Sequence, residues 1–257
     1  MSEPSYDLAV LGAGSAGFSA AITAAEQGAR VALIGHGMIG GTCVNVGCVP
    51  SKTMIRAAGE LHNARLLSHF SGFDGGPEVD NWATIVAEKD DLVSSLRTAK
   101  YIEVLPAYEG VSYIRGAARL APEGVWVNDV LLPAAKTIVA TGAEADMPDI
   151  PGIDQIEVLT STTALELEVL PATLVVLGGG YIGVELAQMF TRLGVLVTLV
   201  CRTRLLPETE PEISAGLAEI FRAEGIDVID AAAYQRIEKD GDDIALTLEH
   251  NGAVRVI

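Results

Sequence analysis

Apolar and polar positions along this chain follow two different periods, and the change from one to the other recurs in the same order twice. Tyr6–Leu11 is a short apolar run that stops at Gly12-Ala13-Gly14-Ser15-Ala16-Gly17, and an alanine-rich segment, 18–27, follows. Gly28 ends that segment, and 30–34 is apolar again. The pattern predicts strand, glycine turn, helix and strand. Much later Thr173–Leu177 runs into Gly178-Gly179-Gly180-Tyr181-Ile182-Gly183, with a helical segment at 184–193, a stop at Gly194 and a second apolar run at 195–200. Helices should begin near Ser15 and Tyr181. Two copies of one supersecondary unit predict an α/β protein with two Rossmann-like, three-layer dinucleotide-binding domains.

The stretch between the copies has its own punctuation. Residues 49–67 read as a helix entered through Pro50, a residue suited to a first helical turn. Residues 82–104 read as a long amphipathic helix, with Ile85, Val86, Leu92, Val93 and Leu96 at helical spacing. From 111 to 132 short β runs alternate with glycine and proline turns, which predicts a small antiparallel meander. A β run at 137–140 then leads into Thr141-Gly142-Ala143. Pro148, Pro151 and Gly152 break the chain, and a domain junction is expected there, giving domains 1–150 and 151–257. A strand at 226–229 and a hairpin, 244–249 with 253–257 around Asn251-Gly252, finish the sequence. The second domain is therefore expected to be incomplete at its C-terminus.

Composition narrows the function classes. The chain is 49% hydrophobic and 20% charged, with 27 glycines among 257 residues and a formal net charge of -17. Such an acidic surface disfavours nucleic acid and anionic lipid as partners. The most apolar stretch, 170–190, contains three adjacent glycines and Glu185, which unsuits it to span a membrane. The N-terminus has no basic region before its first apolar run, and three cysteines do not make a secreted disulfide framework. A cytoplasmic location is the expectation.

Chemistry enters at Gly40-Gly41-Thr42-Cys43-Val44-Asn45-Val46-Gly47-Cys48-Val49-Pro50-Ser51-Lys52. A C-x4-C pair alone also suits a zinc site or a structural staple. Zinc needs about four ligands. The remaining cysteine, Cys201, and the histidines His36, His62, His69 and His250 are scattered without ligand spacing. Two thiols in a glycine-rich turn shortly after a dinucleotide fingerprint favour a redox-active pair.

Each fingerprint needs its first glycine for the turn, its second for close approach of a pyrophosphate and its third for helix packing. An acidic residue usually follows at the end of the second strand and bonds the ribose hydroxyls. The first unit has Gly35 there, followed by His36. The second has Cys201-Arg202-Thr203-Arg204, two guanidiniums suited to a 2′-phosphate, which favours NADPH over NADH. Lys52 lies one helical turn beyond Cys48, and Glu185 lies just inside the second nucleotide helix. Spacing leaves open whether they pair, and whether Tyr181 is a lid or a packed loop residue.

The two fingerprints, the 43–52 block, Thr141-Gly142 and the Tyr181 to Glu185 spacing resemble, in order, the pyridine nucleotide–disulfide oxidoreductases. The resemblance covers nearly the whole chain. It implies FAD and NADPH as cofactors, with Cys48 facing the flavin, Cys43 as the exchanging thiol and Lys52 at the flavin paired with Glu185. Gly12, Gly14, Gly17, Gly37, Thr42, Ala118, Thr141 and Gly142 would line the FAD site. Gly178, Gly180, Gly183, Arg202 and Arg204 would hold NADPH, with Tyr181 as its gate. Val44, Val49 and Ser51, with Arg56-Ala57-Ala58 and Ala99-Lys100-Tyr101, are most similar to the mercuric reductase branch. That branch implies Hg(II) as the substrate, held transiently by Cys43 and Cys48 and reduced with electrons passed from NADPH through FAD. It also implies a homodimer built through a further C-terminal domain, so the chain is expected to be an inactive N-terminal part of a longer reductase. The competing expectations are an organic disulfide reductase of the dihydrolipoamide dehydrogenase or glutathione reductase type, and a nucleotide-binding unit without turnover.

Overall fold

A computed structural model describes residues 5–73, 76–241 and 243–257. It divides into two compact units, Met1–Pro50 with Ala87–Glu144 and Ser51–Val86 with Ala145–Ile257.

In the first unit, β1 (Tyr6–Leu11), α1 (Ser15–Glu26) and β2 (Val31–Gly35) form the first strand–helix–strand element. The short α2 (Gly41–Asn45) and the long α3 (Cys48–Leu66) follow, and the division between units falls within α3. It falls again within α4 (Trp82–Arg97), which continues into a π turn, Thr98–Ile102. Regular α geometry thus ends seven residues short of the helix expected over 82–104. After it come β3 (Val111–Arg115), β4 (Ala118–Ala121), β5 (Gly124–Val127), β6 (Val130–Leu132) and β7 (Ala134–Val139).

The main sheet has the order β3-β2-β1-β7, with every pair parallel. All five residues of β2 are buried, as expected for a strand covered on both faces. Val10, Val31 and Leu33 face Phe18 and Ala21 of α1, while Ala9, Leu11, Ala32 and Ile34 face Val125 and Val127 of β5. Helix, parallel sheet and antiparallel β4-β5-β6 ribbon make the three layers.

The expected meander over 111–132 needs one correction. Residues of β3 pair with β2, from Val31↔Val111 to Gly35↔Arg115, and only Ala118 to Leu132 forms the antiparallel ribbon. Alternation marks a strand without marking its partner, and the partner here is about 80 residues upstream in the chain.

The second unit contains α5 (Ser161–Ala164), β8 (Thr173–Leu177), α6 (Tyr181–Arg192), β9 (Leu196–Val200), α7 (Pro211–Ala223) and β10 (Asp227–Ile229). Its parallel sheet has the order β10-β9-β8. Met189 and Phe190 of α6, Leu199 of β9 and Phe221 of α7 share a core with Met54, Ala58 and Trp82 from the 51–86 segment. The Trp82 indole N–H donates to the Leu167 carbonyl at 2.6 Å. A second antiparallel sheet, β11 (Ala233–Asp240), β12 (Asp243–His250) and β13 (Ala253–Val256), packs through Ile237, Leu246 and Leu248 against Val200 and Ile229. Both β12 and β13 fall on the expected hairpin; α5, α7 and β11 are additions. Among the described residues no helix is long and apolar enough to cross a membrane.

Candidate active site

Backbone geometry in the first unit brings three loops together at the carboxyl end of the parallel sheet. Gly12 has φ +111°, and a Cβ there would lie 2.1 Å from the Ala140 carbonyl oxygen and 3.1 Å from the Thr141 Cα. A Cβ at Gly17 would lie 1.9 Å from the Gly12 carbonyl oxygen. Gly14 pairs with Gly40 in a parallel bridge, and a Cβ on Gly41 would lie 2.5 Å from the Gly14 Cα. The fingerprint, the loop before Cys43 and the end of β7 with Thr141 and Gly142 therefore converge. Thr42 is exposed on α2; Gly37 follows β2 and Ala118 opens β4, both exposed.

The two candidate thiols sit in this unit. Cys43 lies in α2, half-buried, and Cys48 is the exposed first residue of α3; neither is in a disulfide among the described residues. The Cys43 thiol is pushed above the usual thiol range, first by its hydrogen bond with Cys48, then by burial and by the charge of Cys48. Lys100 acts in the opposite direction. Asn45 fixes the loop that carries them, its amide donating to the carbonyls of Ile39 at 3.0 Å and Gly41 at 2.8 Å. Arg97 holds that amide in turn, donating to Asn45 Oδ1 at 3.0 Å and to Met38 Sδ at 3.2 Å. The π turn presents Tyr101, whose hydroxyl is 3.1 Å from Ser15 Oγ and whose ring meets Phe18 edge-on at 4.8 Å. Asn45 lies within the redox block but is given no role by the sequence, and Arg97, 52 residues further on, lies outside every motif.

The second unit repeats the cradle. Gly178 has φ +113°, and a Cβ at Gly183 would lie 2.1 Å from the Gly178 carbonyl oxygen. A Cβ at Gly179 would press on Cys201 Cβ and Leu205 at 3.1 Å. Cys201 is buried, and burial raises its thiol above the usual range. Tyr181 opens α6 with its side chain exposed. Lys52 Nζ and Glu185 Oε1 form an ion pair, so residues 133 positions apart do meet. After β9, Arg202 is exposed and makes no hydrogen bond or ion pair among the described residues. Arg204 instead donates to the carbonyls of Pro207 at 2.9 Å and Thr209 at 2.7 Å.

The cradles fit dinucleotide pyrophosphates for a reason internal to them. First and third fingerprint glycines are required by the chain's own backbone. The middle glycines are not: a Cβ at Gly180 meets nothing within 4 Å, and one at Gly14 meets only the Gly41 Cα at 3.4 Å. Their φ values, -79° and -76°, are open to any residue. Each caps a 12-residue helix without a side-chain acceptor and with no acidic residue in the first turn. Free N–H groups and unfilled space suit an anion that approaches the backbone closely.

Comparison with known proteins agrees with that geometry. The model of the pyridine nucleotide-disulphide oxidoreductase family matches residues 6–256. The chain belongs to that family. Among its relatives, a mercuric reductase of Bacillus cereus is 43% identical over 98% of this chain, and one of Streptomyces lividans is 44% identical over 95%. Those matches span 40% and 52% of the respective relatives, so the chain corresponds to about half their length. An HOCl-induced flavoprotein disulfide reductase from Escherichia coli superposes with a TM-score of 0.82 and is 32% identical, over 98% of this chain and 54% of that one. Membership in this oxidoreductase family and the parallel-sheet nucleotide folds are thereby established.

Proposed function

We propose that the first unit binds FAD, that the second binds NADPH, and that the protein carrying this chain reduces Hg(II) to Hg(0) through Cys43 and Cys48. The observation that carries the reading is a pair of cysteines on successive helices, in a loop whose Gly40 and Gly41 press on the Gly14 fingerprint cradle, in a chain whose relatives at 43% and 44% identity are mercuric reductases. Gly12, Gly14, Gly17, Thr42 and Gly142 would hold FAD, with Gly178, Gly180, Gly183 and Arg202 holding NADPH. FAD, when bound, supplies the two-electron relay between the nicotinamide and the acceptor.

The chain's own groups do the rest. The exposed Cys48 leads α3, at the positive end of a 19-residue helix. Half-buried Cys43 lies in the short helix before it. Two thiolates hold Hg(II) because soft sulfur matches a soft cation. Glu185 fixes the Lys52 ammonium by an ion pair within the second unit. Tyr181, exposed at the start of α6, would gate the nicotinamide of a bound NADPH. The overall balance is NADPH and Hg(II) giving NADP+, a proton and Hg(0).

The test is Hg(II)-dependent oxidation of NADPH by the full-length protein. Cys43→Ser and Cys48→Ser should each abolish it, since a hydroxyl does not hold the soft cation. The structural relative named as a disulfide reductase favours a second reading, an organic disulfide as acceptor. Efficient reduction of glutathione disulfide or lipoamide by a protein indifferent to Hg(II) would establish that reading and defeat the first.

A further inference from the structure

We infer that the Tyr113 hydroxyl binds the adenosine ribose diol of FAD, in the place where dinucleotide folds of this kind ordinarily use a carboxylate. This rests on the proposal that the first unit binds FAD.

In a strand–helix–strand dinucleotide unit an acidic residue at the end of the second strand bonds the ribose 2′-hydroxyl. Here that strand, β2, ends at Gly35. The glycine is not there for its backbone, since it does not adopt a positive φ. It is there for space. A Cβ at position 35 would lie 2.7 Å from Tyr113 Oη, 2.9 Å from Ala13 Cβ and 3.0 Å from Tyr113 Cε2. A side chain at that point would require Tyr113 and Ala13 to shift, so the local packing disfavours an acid there.

The phenol occupies the volume from which the acid would otherwise reach. Tyr113 lies on β3 and pairs with Leu33, two residues before Gly35, so its side chain stands on the same face of the sheet and reaches toward the carboxyl edge. Ala13, the other neighbour of that point, belongs to the fingerprint itself. The hydroxyl therefore lies between the fingerprint and the end of β2, where the ribose of a bound dinucleotide is read. Among the described residues nothing hydrogen-bonds it, and the residue is 36% exposed. A phenolic hydroxyl both donates and accepts, which suits a diol that does the same. His36, the next residue in the chain, is exposed past the strand end and is the rival for this part.

The experiment is a titration of the apo protein, followed by flavin fluorescence, with FAD and with FAD carrying 2′-deoxyadenosine. Tyr113→Phe should weaken FAD binding by about three- to tenfold, the effect of one hydrogen bond. The deoxy ligand should cost the unmodified protein a similar factor and cost Tyr113→Phe nothing further. Thermal stability without ligand should be unchanged, which separates binding from folding. The exchange Tyr113→Val with Gly35→Glu and Ala13→Gly removes both close neighbours of that point and returns a carboxylate; it should bind FAD more tightly than Tyr113→Val with Ala13→Gly. A protein that does not bind FAD overturns both the FAD assignment and this contact. FAD binding that Tyr113→Phe leaves untouched while His36→Ala weakens it overturns the tyrosine's part alone.

Discussion

Arg204 commits its Nη2 to the carbonyls of Pro207 and Thr209, closing the turn after β9, whereas Arg202 stands exposed with its guanidinium unengaged among the described residues. Two arginines that look equivalent in the sequence therefore do different work. Arg202→Ala should weaken NADPH while sparing NADH, because only NADPH carries the 2′-phosphate. A hydrogen bond to a charged group is worth about 1.5–3 kcal/mol, so the loss should be about tenfold or more. Arg204→Ala should instead loosen the turn and weaken both nucleotides alike. Dissociation constants of each variant for both nucleotides decide this; equal losses in Arg202→Ala would reduce that residue to a surface charge. The same scale explains Gly35: sequence shows that the acid is missing, but only the position of Tyr113 shows why the packing disfavours one there.

Helices α6 and α7 are tied by one carboxylate. Arg192 donates to Glu224 through Nε at 2.8 Å and Nη2 at 2.7 Å, and Gln188 adds a third bond at 2.8 Å. The two charged side chains are only 22% and 12% exposed. The Arg192 hydrogen bonds hold the Glu224 carboxyl below the usual carboxylate range, against the cost of burial. A carboxylate with a lowered folded pKa stabilises the fold above its unfolded pKa and loses that stabilisation as pH falls through the folded value. Glu224→Gln should therefore destabilise the second unit by about 1.5–3 kcal/mol at neutral pH, with the gap to the unmodified protein closing in acid. Urea unfolding followed across that range checks it; a gap that persists in acid would assign the effect to packing. Legibility follows range at this scale. The two strand–helix–strand elements were readable because their apolar period and glycine stops are local. The start of α7 at Pro211, with Ile213, Leu217 and Phe221 at helical spacing, carried a usable local signal. β11 offered little, since only Ile237 in it is buried and its other positions are largely polar. The partner of β3, the Asn45–Arg97 clamp and the Lys52–Glu185 pair are set by tertiary folding over distances that no local spacing encodes.

At the scale of the molecule, a chain with formal charge -17 is expected to bind two anionic dinucleotides, so attraction must be local. The helix starts at Gly14 and Gly180 would provide it, each without a competing acidic side chain in the first turn. Each cradle also belongs to its own unit with its own buried clusters, those around Leu33 and Ile34 in one and those around Phe190 and Leu248 in the other. A ligand that binds only the folded form stabilises what it contacts by mass action, and local opening is governed by the unit that opens. FAD should accordingly slow amide hydrogen exchange at 12–17, 40–42 and 141–142. NADP+ should slow it at 178–183 and at 202. Mass-resolved exchange with each nucleotide alone reads both sets. Protection of 12–17 by NADP+, with 178–183 left unchanged, would reverse the assignment of nucleotide to unit. Protection of neither set by either nucleotide would mean that the free N–H groups and open glycine faces are turns without ligands. The middle glycines argue against that outcome, because nothing among the described residues requires position 180 to lack a side chain.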